Sequence, residues 1–141
     1  MIDQVTLFLE NSKGRLADAC RVLADAGVSM HTLVIAETTD YGVVRIITNK
    51  PNDAINALQE AGFRARLTKV HALSIVDEAG GLASLLETFN AAGINLEYAY
   101  CFSTNKGYAI DIVRVDDPER LNAVAAEFGL KLLSPQDLYE Y

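Results

Sequence analysis

Two short loops carry the residue types with the most chemical promise in this sequence. One reads Glu10-Asn11-Ser12-Lys13-Gly14-Arg15-Leu16, the other Val76-Asp77-Glu78-Ala79-Gly80-Gly81-Leu82. Each stands where a strand-like run gives way to a helical pattern. A glycine there supplies a backbone angle that other residues resist, and lets a ligand approach the main chain. The helix that follows offers free N–H groups and the positive end of its dipole. Together these suit a small anion such as a carboxylate. Asn11 or Asp77 beside the loop accepts from an ammonium group. A carboxylate receptor next to an ammonium receptor is what a free amino acid needs. A tight turn needs the same glycine with no ligand at all, and the residues alone leave the two readings even.

Other candidates have plainer explanations. His31 suits a pocket wall or a group titrating near neutrality, although a solvent-facing or core strand position is the more ordinary role. His31 and His71 share no metal-ligand spacing with a cysteine or an acid. Tyr98 and Tyr100 stand two apart and so share a sheet face, where they stack on a ligand or pack at an interface. Cys20 falls on an apolar helical stripe, and Cys101 sits between Tyr100 and Phe102. The cysteines lie far apart with no CxxC, which argues against a disulfide framework and a thiolate metal site. Asp117 before Pro118 reads as a helix cap. No nucleophile elbow, zinc-protease motif, P-loop or dinucleotide fingerprint occurs. The expectation is a protein without catalysis, metal or cofactor.

Composition narrows the class. Of 141 residues, 50% are apolar and 22% charged, as in a globular chain. The net charge of −7 argues against nucleic acid or an anionic membrane surface as partner. No apolar run approaches the ~18 residues of a membrane span. The first residues lack a basic segment before their apolar stretch and so do not read as a secretory signal. The cytoplasm is the expected compartment.

The elements that position the loops come in two copies. NSKGRLADACRVLADAGVSM at 11–30 matches DEAGGLASLLETFNAAGINL at 77–96, with identities at Gly14/Gly80, Leu16/Leu82, Ala17/Ala83, Ala26/Ala92 and Gly27/Gly93. Two homologous domains are expected, 1–69 and 70–141. The first half holds eight acids and eight bases; residues 71–141 hold eleven acids and four bases, hence the whole −7. Alternation makes 4–9, 28–37, 43–48 and 63–69 strand-like, with TTDYG as a turn. Helical periodicity covers 14–26, and Asn52 is the expected cap of a second helix ending at Gly62. In the second half Leu82, Leu85, Leu86, Phe89 and Ala92 stripe one helix. Leu121, Val124, Ala125 and Phe128 face inward on the other. The order strand-helix-strand-strand-helix-strand is the ferredoxin-like βαββαβ unit, an α+β fold with an antiparallel sheet and both helices on one face. So small a unit is marginal alone. It leaves sheet edges and one face to cover, from which a homodimer is expected.

The pattern N/D-x-x-G-x-L-A, an amphipathic helix, then A-G-[IV]-N/S-[LM] resembles the ACT domain, once from Asn11 to Met30 and again from Asp77 to Leu96. The whole chain is similar to stand-alone tandem ACT proteins. The resemblance implies a regulatory module that binds an amino acid between ACT units, held by the first loop of one unit with help from the residue after A-G-[IV] of its neighbour. That points to Asn11, Ser12, Lys13, Gly14 and Ser29, and to Asp77, Glu78, Gly80, Gly81 and Asn95. His31 and Tyr98 are added from their positions nearby. The loops depart from the family at Lys13 and Ala79, where proline is common, and at Ser29, where asparagine is. The implied function is amino-acid sensing read out through dimer packing, with a metabolic enzyme as partner. The alternative is an assembly scaffold with empty pockets.

Overall fold

The computed structural model describes residues 1–37, 41–104 and 106–140. They fall into two compact units, one of Asp3–Thr68 and one of Lys69–Tyr141 with Met1–Ile2. In the N-terminal unit the chain runs through β1 (Ile2–Glu10), α1 (Arg15–Asp25), β2 (Thr32–Glu37), β3 (Tyr41–Ile47), α2 (Pro51–Glu60) and into β4 (Arg64–Val76). The strand order is β2-β3-β1-β4. β3 lies antiparallel to both β1 and β2, with Leu7 opposite Val44 and Ile35 opposite Val44. Strand alternation then puts Val5, Leu7, Leu9, Val44 and Ile46 on one face. They pack there with Ala19 and Leu23 of α1 and Ala54 and Leu58 of α2. Burying a leucine of this kind contributes about 1.5–3 kcal/mol.

The C-terminal unit repeats the plan with the rest of β4, α3 (Gly81–Ala91), β5 (Leu96–Ser103), β6 (Tyr108–Val115), α4 (Pro118–Phe128) and a two-residue β7 (Lys131–Leu132). Its order is β7-β4-β6-β5. Leu73, Val113 and Val115 of the sheet pack with Leu85 and Phe89 of α3 and Leu121 and Val124 of α4. The ferredoxin-like α+β plan with antiparallel sheets is therefore present in both units. A short helix, α5 (Pro135–Tyr139), follows β7. A capping box between Ser134 and Asp137 starts it, and Leu138 is buried.

Several local expectations need correction. The strand anticipated over 28–37 begins only at Thr32, and 63–69 continues as one 13-residue strand. The TTDYG turn falls partly outside the described residues. Asn52 does not cap α2; Lys50 holds the cap position and the helix starts with Pro51, whose fixed φ and missing N–H suit a first turn. Asp117 does cap α4, accepting from the Arg120 N–H at 2.9 Å. On α3 only Leu85 and Phe89 reach the core, while Leu82 and Leu86 are exposed, as is Phe128 of α4. The five-residue stripe spans a wider arc than one sheet contact covers.

The sheet faces turned from the helices were expected to be largely bare. Several of their residues are buried. Gln4 and Thr6 in the N-terminal unit, and Ala72, Ile110 and Ile112 in the C-terminal unit, are buried. The buried polar groups find partners: Gln4 Nε2 donates to Thr6 Oγ1 at 3.0 Å, and the Thr6 and Thr68 hydroxyls bond at 2.8 Å.

Candidate ligand-binding site

Both loops owe their shape to one glycine each. Gly14 and Gly80 are the N-caps of α1 and α3, with φ of 87° and 95°, in the left-handed region. Neither helix start has a side-chain cap. The Asp18 N–H bonds the Gly14 carbonyl and the Ser84 N–H bonds the Gly80 carbonyl, each at 2.9 Å. Amides nearer each helix start have no intrahelical acceptor. Asn11, Ser12, Lys13 and Gly14 are exposed, as are Asp77, Glu78 and Gly80. Gly81 is half-buried, and a Cβ built on it collides with the Val76 carbonyl oxygen.

Each unit holds a cavity beside its loop, and the two occupy equivalent positions. In the N-terminal unit a cavity of about 400 Å³ is lined by Phe8, Leu9, Glu10, Arg15, Tyr41, Gly62 and Arg64. In the C-terminal unit one of about 470 Å³ is lined by Ser74, Ile75, Val76, Glu78, Ala79, Gly80, Gly81, Ser84, Leu85, Thr88, Gly129, Leu130 and Lys131. The registers align them: Glu10 faces Tyr41 as Val76 faces Tyr108. Phe8, Glu10, Arg15 and Arg64 thereby correspond to Ser74, Val76, Gly81 and Lys131. Both volumes suit a small molecule.

The linings differ in chemistry. The Arg15 guanidinium stacks 4.5 Å above the Phe63 ring, and its buried Nε has no hydrogen-bond partner. Among the described residues neither Arg15 nor Arg64 pairs with an acid. A second hollow of about 380 Å³ shares Phe8 and Arg64, and Arg66 lies 5.5 Å over the Phe8 ring. The C-terminal cavity has no arginine. Its hydroxyls are Ser74, Ser84 and Thr88, and its charges are Glu78 and Lys131. Lys131 Nζ lies 6.0 Å over the Tyr108 ring.

The remaining candidates lie elsewhere. β1 and β2 are both antiparallel to β3, so they run in the same direction. Asn11–Gly14 follows the end of β1 near Tyr41, whereas Ser29 and His31 precede β2 near Ile47. Six residues of β3 separate these ends, roughly 20 Å. The His31 N–H donates to the Ile47 carbonyl, and the Thr48 hydroxyl to the Ser29 carbonyl. In the C-terminal unit Asn95, whose N–H donates to Asp116 Oδ1 at 2.9 Å, likewise sits at the far end of the sheet from Asp77. Tyr98 lies opposite Arg114, half-buried, on the face shared with Tyr100. Within one unit, then, the loop does not meet Ser29, His31, Asn95 or Tyr98.

Sequence reasoning missed Arg15, Arg64 and Glu10. The readable signal was a cation after each second-helix glycine, at Arg64 and Lys131, and the contrast of Arg15 with Gly81. It also missed Asp111, a buried acid opposite Leu73 and Cys101. The N-terminal unit has Val44 and Ile35 in that layer. Burial pushes the Asp111 carboxyl above its usual range, against a bond from Cys101. Desolvation, then Asp111 and Asp77, push the Cys101 thiol up, unlike a catalytic thiolate. His71 Nε2 bonds Asn122 Oδ1 at 3.0 Å, and burial holds its pKa down. No cluster of three metal-ligating side chains occurs among the described residues. Nor is any described helix long and apolar enough to cross a membrane.

Comparison with known proteins agrees with this architecture. No curated protein matches the chain. Among solved structures, protein BT0572 from Bacteroides thetaiotaomicron is 34% identical, with a TM-score of 0.93 over 99% of this chain and 96% of that one. The regulatory subunit of aspartate kinase from Thermus thermophilus, in ligand-free form, shares the fold at 17% identity and a TM-score of 0.64, over 90% of this chain and 91% of that one. The corresponding subunit from Thermus flavus gives 17% and 0.59, over 91% and 94%. The ACT domain pair family matches residues 1–141 without a gap at either end. This chain belongs to that family.

Proposed function

We propose that the chain is a non-catalytic regulatory protein that binds a free amino acid and passes the signal on through the packing of a homodimer. The observation that carries this reading is the pair of equivalent cavities, each beside a glycine-capped helix start that no side chain caps. The loop of one ACT unit, Asn11–Gly14 with Arg15 after it, or Asp77–Gly81, supplies the carboxylate receptor. Ser29 with His31, or Asn95 with Tyr98, comes from an ACT unit of a second chain. Ligand then shifts the dimer by its differential affinity for two interface arrangements, and a metabolic enzyme reads the change. Two kinds of support bear on this: membership of a regulatory domain family, and solved relatives of the same fold that are named as regulatory subunits.

Titration calorimetry of the full chain against the twenty amino acids tests it. Saturable heat with one chemical class is the expected result. No heat with any amino acid, on protein shown to be folded and dimeric, overturns it in favour of a scaffold. A bulky residue at Gly80 is a poor control, because its φ of 95° strains any side chain. Ser84→Leu, which fills the cavity from a regular helix position, is the cleaner variant.

A further inference from the structure

The two cavities occupy equivalent positions but present different chemistry, and the N-terminal one is the more specific. It holds two guanidinium groups, Arg15 and Arg64, with no acid paired to either among the described residues. Phe63 pins Arg15 by stacking at 4.5 Å, which fixes the fork at little further entropic cost. The buried Arg15 Nε lacks an acceptor. A buried donor without a partner is expensive, and an anion seated in the cavity removes that cost. Glu10 lines the same wall and is not bonded to either arginine. Two forks for carboxylates and one acid for an ammonium match a single class of molecule.

The geometry points to an acidic amino acid as the ligand of the N-terminal cavity. Its two carboxylates lie on Arg15 and Arg64, each able to bind in bidentate fashion, and its ammonium on Glu10. The C-terminal cavity cannot take the same ligand in the same way. Its counterparts to Glu10 and Arg15 are Val76 and Gly81, leaving Lys131 and the hydroxyls of Ser74, Ser84 and Thr88. The two halves therefore differ in ligand as they differ in charge. This inference rests on the amino-acid-binding reading above and narrows it.

The test is calorimetry of the full chain with glutamate, aspartate, glutamine, asparagine, succinate and inorganic phosphate as separate titrants. Glutamate or aspartate is expected to bind at least tenfold tighter than its amide. Arg64→Met, an exposed position, is expected to weaken that binding roughly tenfold to a hundredfold. Arg15→Met is expected to do the same, with its melting curve confirming the fold. If it does not fold, Arg64→Met and Glu10→Gln carry the test. Glu10→Gln is expected to weaken glutamate while leaving succinate unchanged or tighter. Neutral amino acids binding as well as glutamate, with no effect of the arginine variants, overturn this assignment and leave the regulatory reading standing. Succinate or phosphate binding as tightly as glutamate overturns the role of Glu10 and with it the amino-acid assignment. No binding of any titrant overturns both.

Discussion

At the scale of single residues, Asp111 imposes a pH dependence. Its folded pKa is raised above the usual 3.8 by burial, so its contribution to stability is present below that value and is lost as pH rises through the raised one. Its Oδ2 has no hydrogen-bond partner, and burial penalises its charged form. Asp111→Asn is therefore expected to gain more in melting temperature over the unmodified chain at pH 7 than at pH 4. Equal gains at both pH values would show that the charge is not the cause. His71 has the opposite sign. Its pKa is lowered from 6.5 by burial, so its contribution is intact above 6.5 and is lost as pH falls below it. His71→Gln should flatten the acid side of the stability profile below pH 6.5, measured by thermal denaturation. Gly14 tests the loop itself. Space around it is open, yet φ is +87°, so Gly14→Ala is expected to cost about 1–2 kcal/mol from backbone strain alone. A neutral result would mean the loop relaxes out of the left-handed region.

At the scale of elements, what the sequence revealed follows from what repeats in it. The Gly-x-Leu-Ala signature, the helix stripes around Leu23 and Phe89, and the Asp117-Pro118 start were legible because each is a local device with a fixed spacing. Asp117→Ala should accordingly cost about 1 kcal/mol, the usual worth of such a cap, read as a lowered denaturant midpoint. Where local signals compete, the reading slipped. Asn52 is a good cap by type, but Pro51 before it fits a first helical turn better. Phe128 and Leu86 continue a stripe on paper, but both side chains are exposed. The cavities were illegible for a different reason. Arg15 follows Gly14 directly, but Phe63 and Arg64 reach it only after α2 returns the chain to the same end of the sheet. Nothing in their spacing announces that meeting.

At the scale of the whole chain, the uneven charge and the buried far faces bear on assembly. Gln4, Thr6, Ala72, Ile110 and Ile112, on the sheet faces turned from the helices, are buried. Within a unit the loops lie far from Ser29 or Asn95, so a site that joins them needs a second ACT unit. Sedimentation at micromolar concentration should give about twice the 15.3 kDa of one chain. A single species at monomer mass overturns the homodimer. Duplication usually leaves two copies free to exchange roles by point mutation. Here one position forbids it. The second unit could regain a guanidinium opposite Lys131 only by replacing Gly81, and the Val76 carbonyl occupies the place of the first side-chain carbon. The strand end would have to shift before the arginine could arrive. Divergence of the two sites thus works as a ratchet: Arg15 can be lost from the first copy in one step, but the second copy cannot acquire it in one.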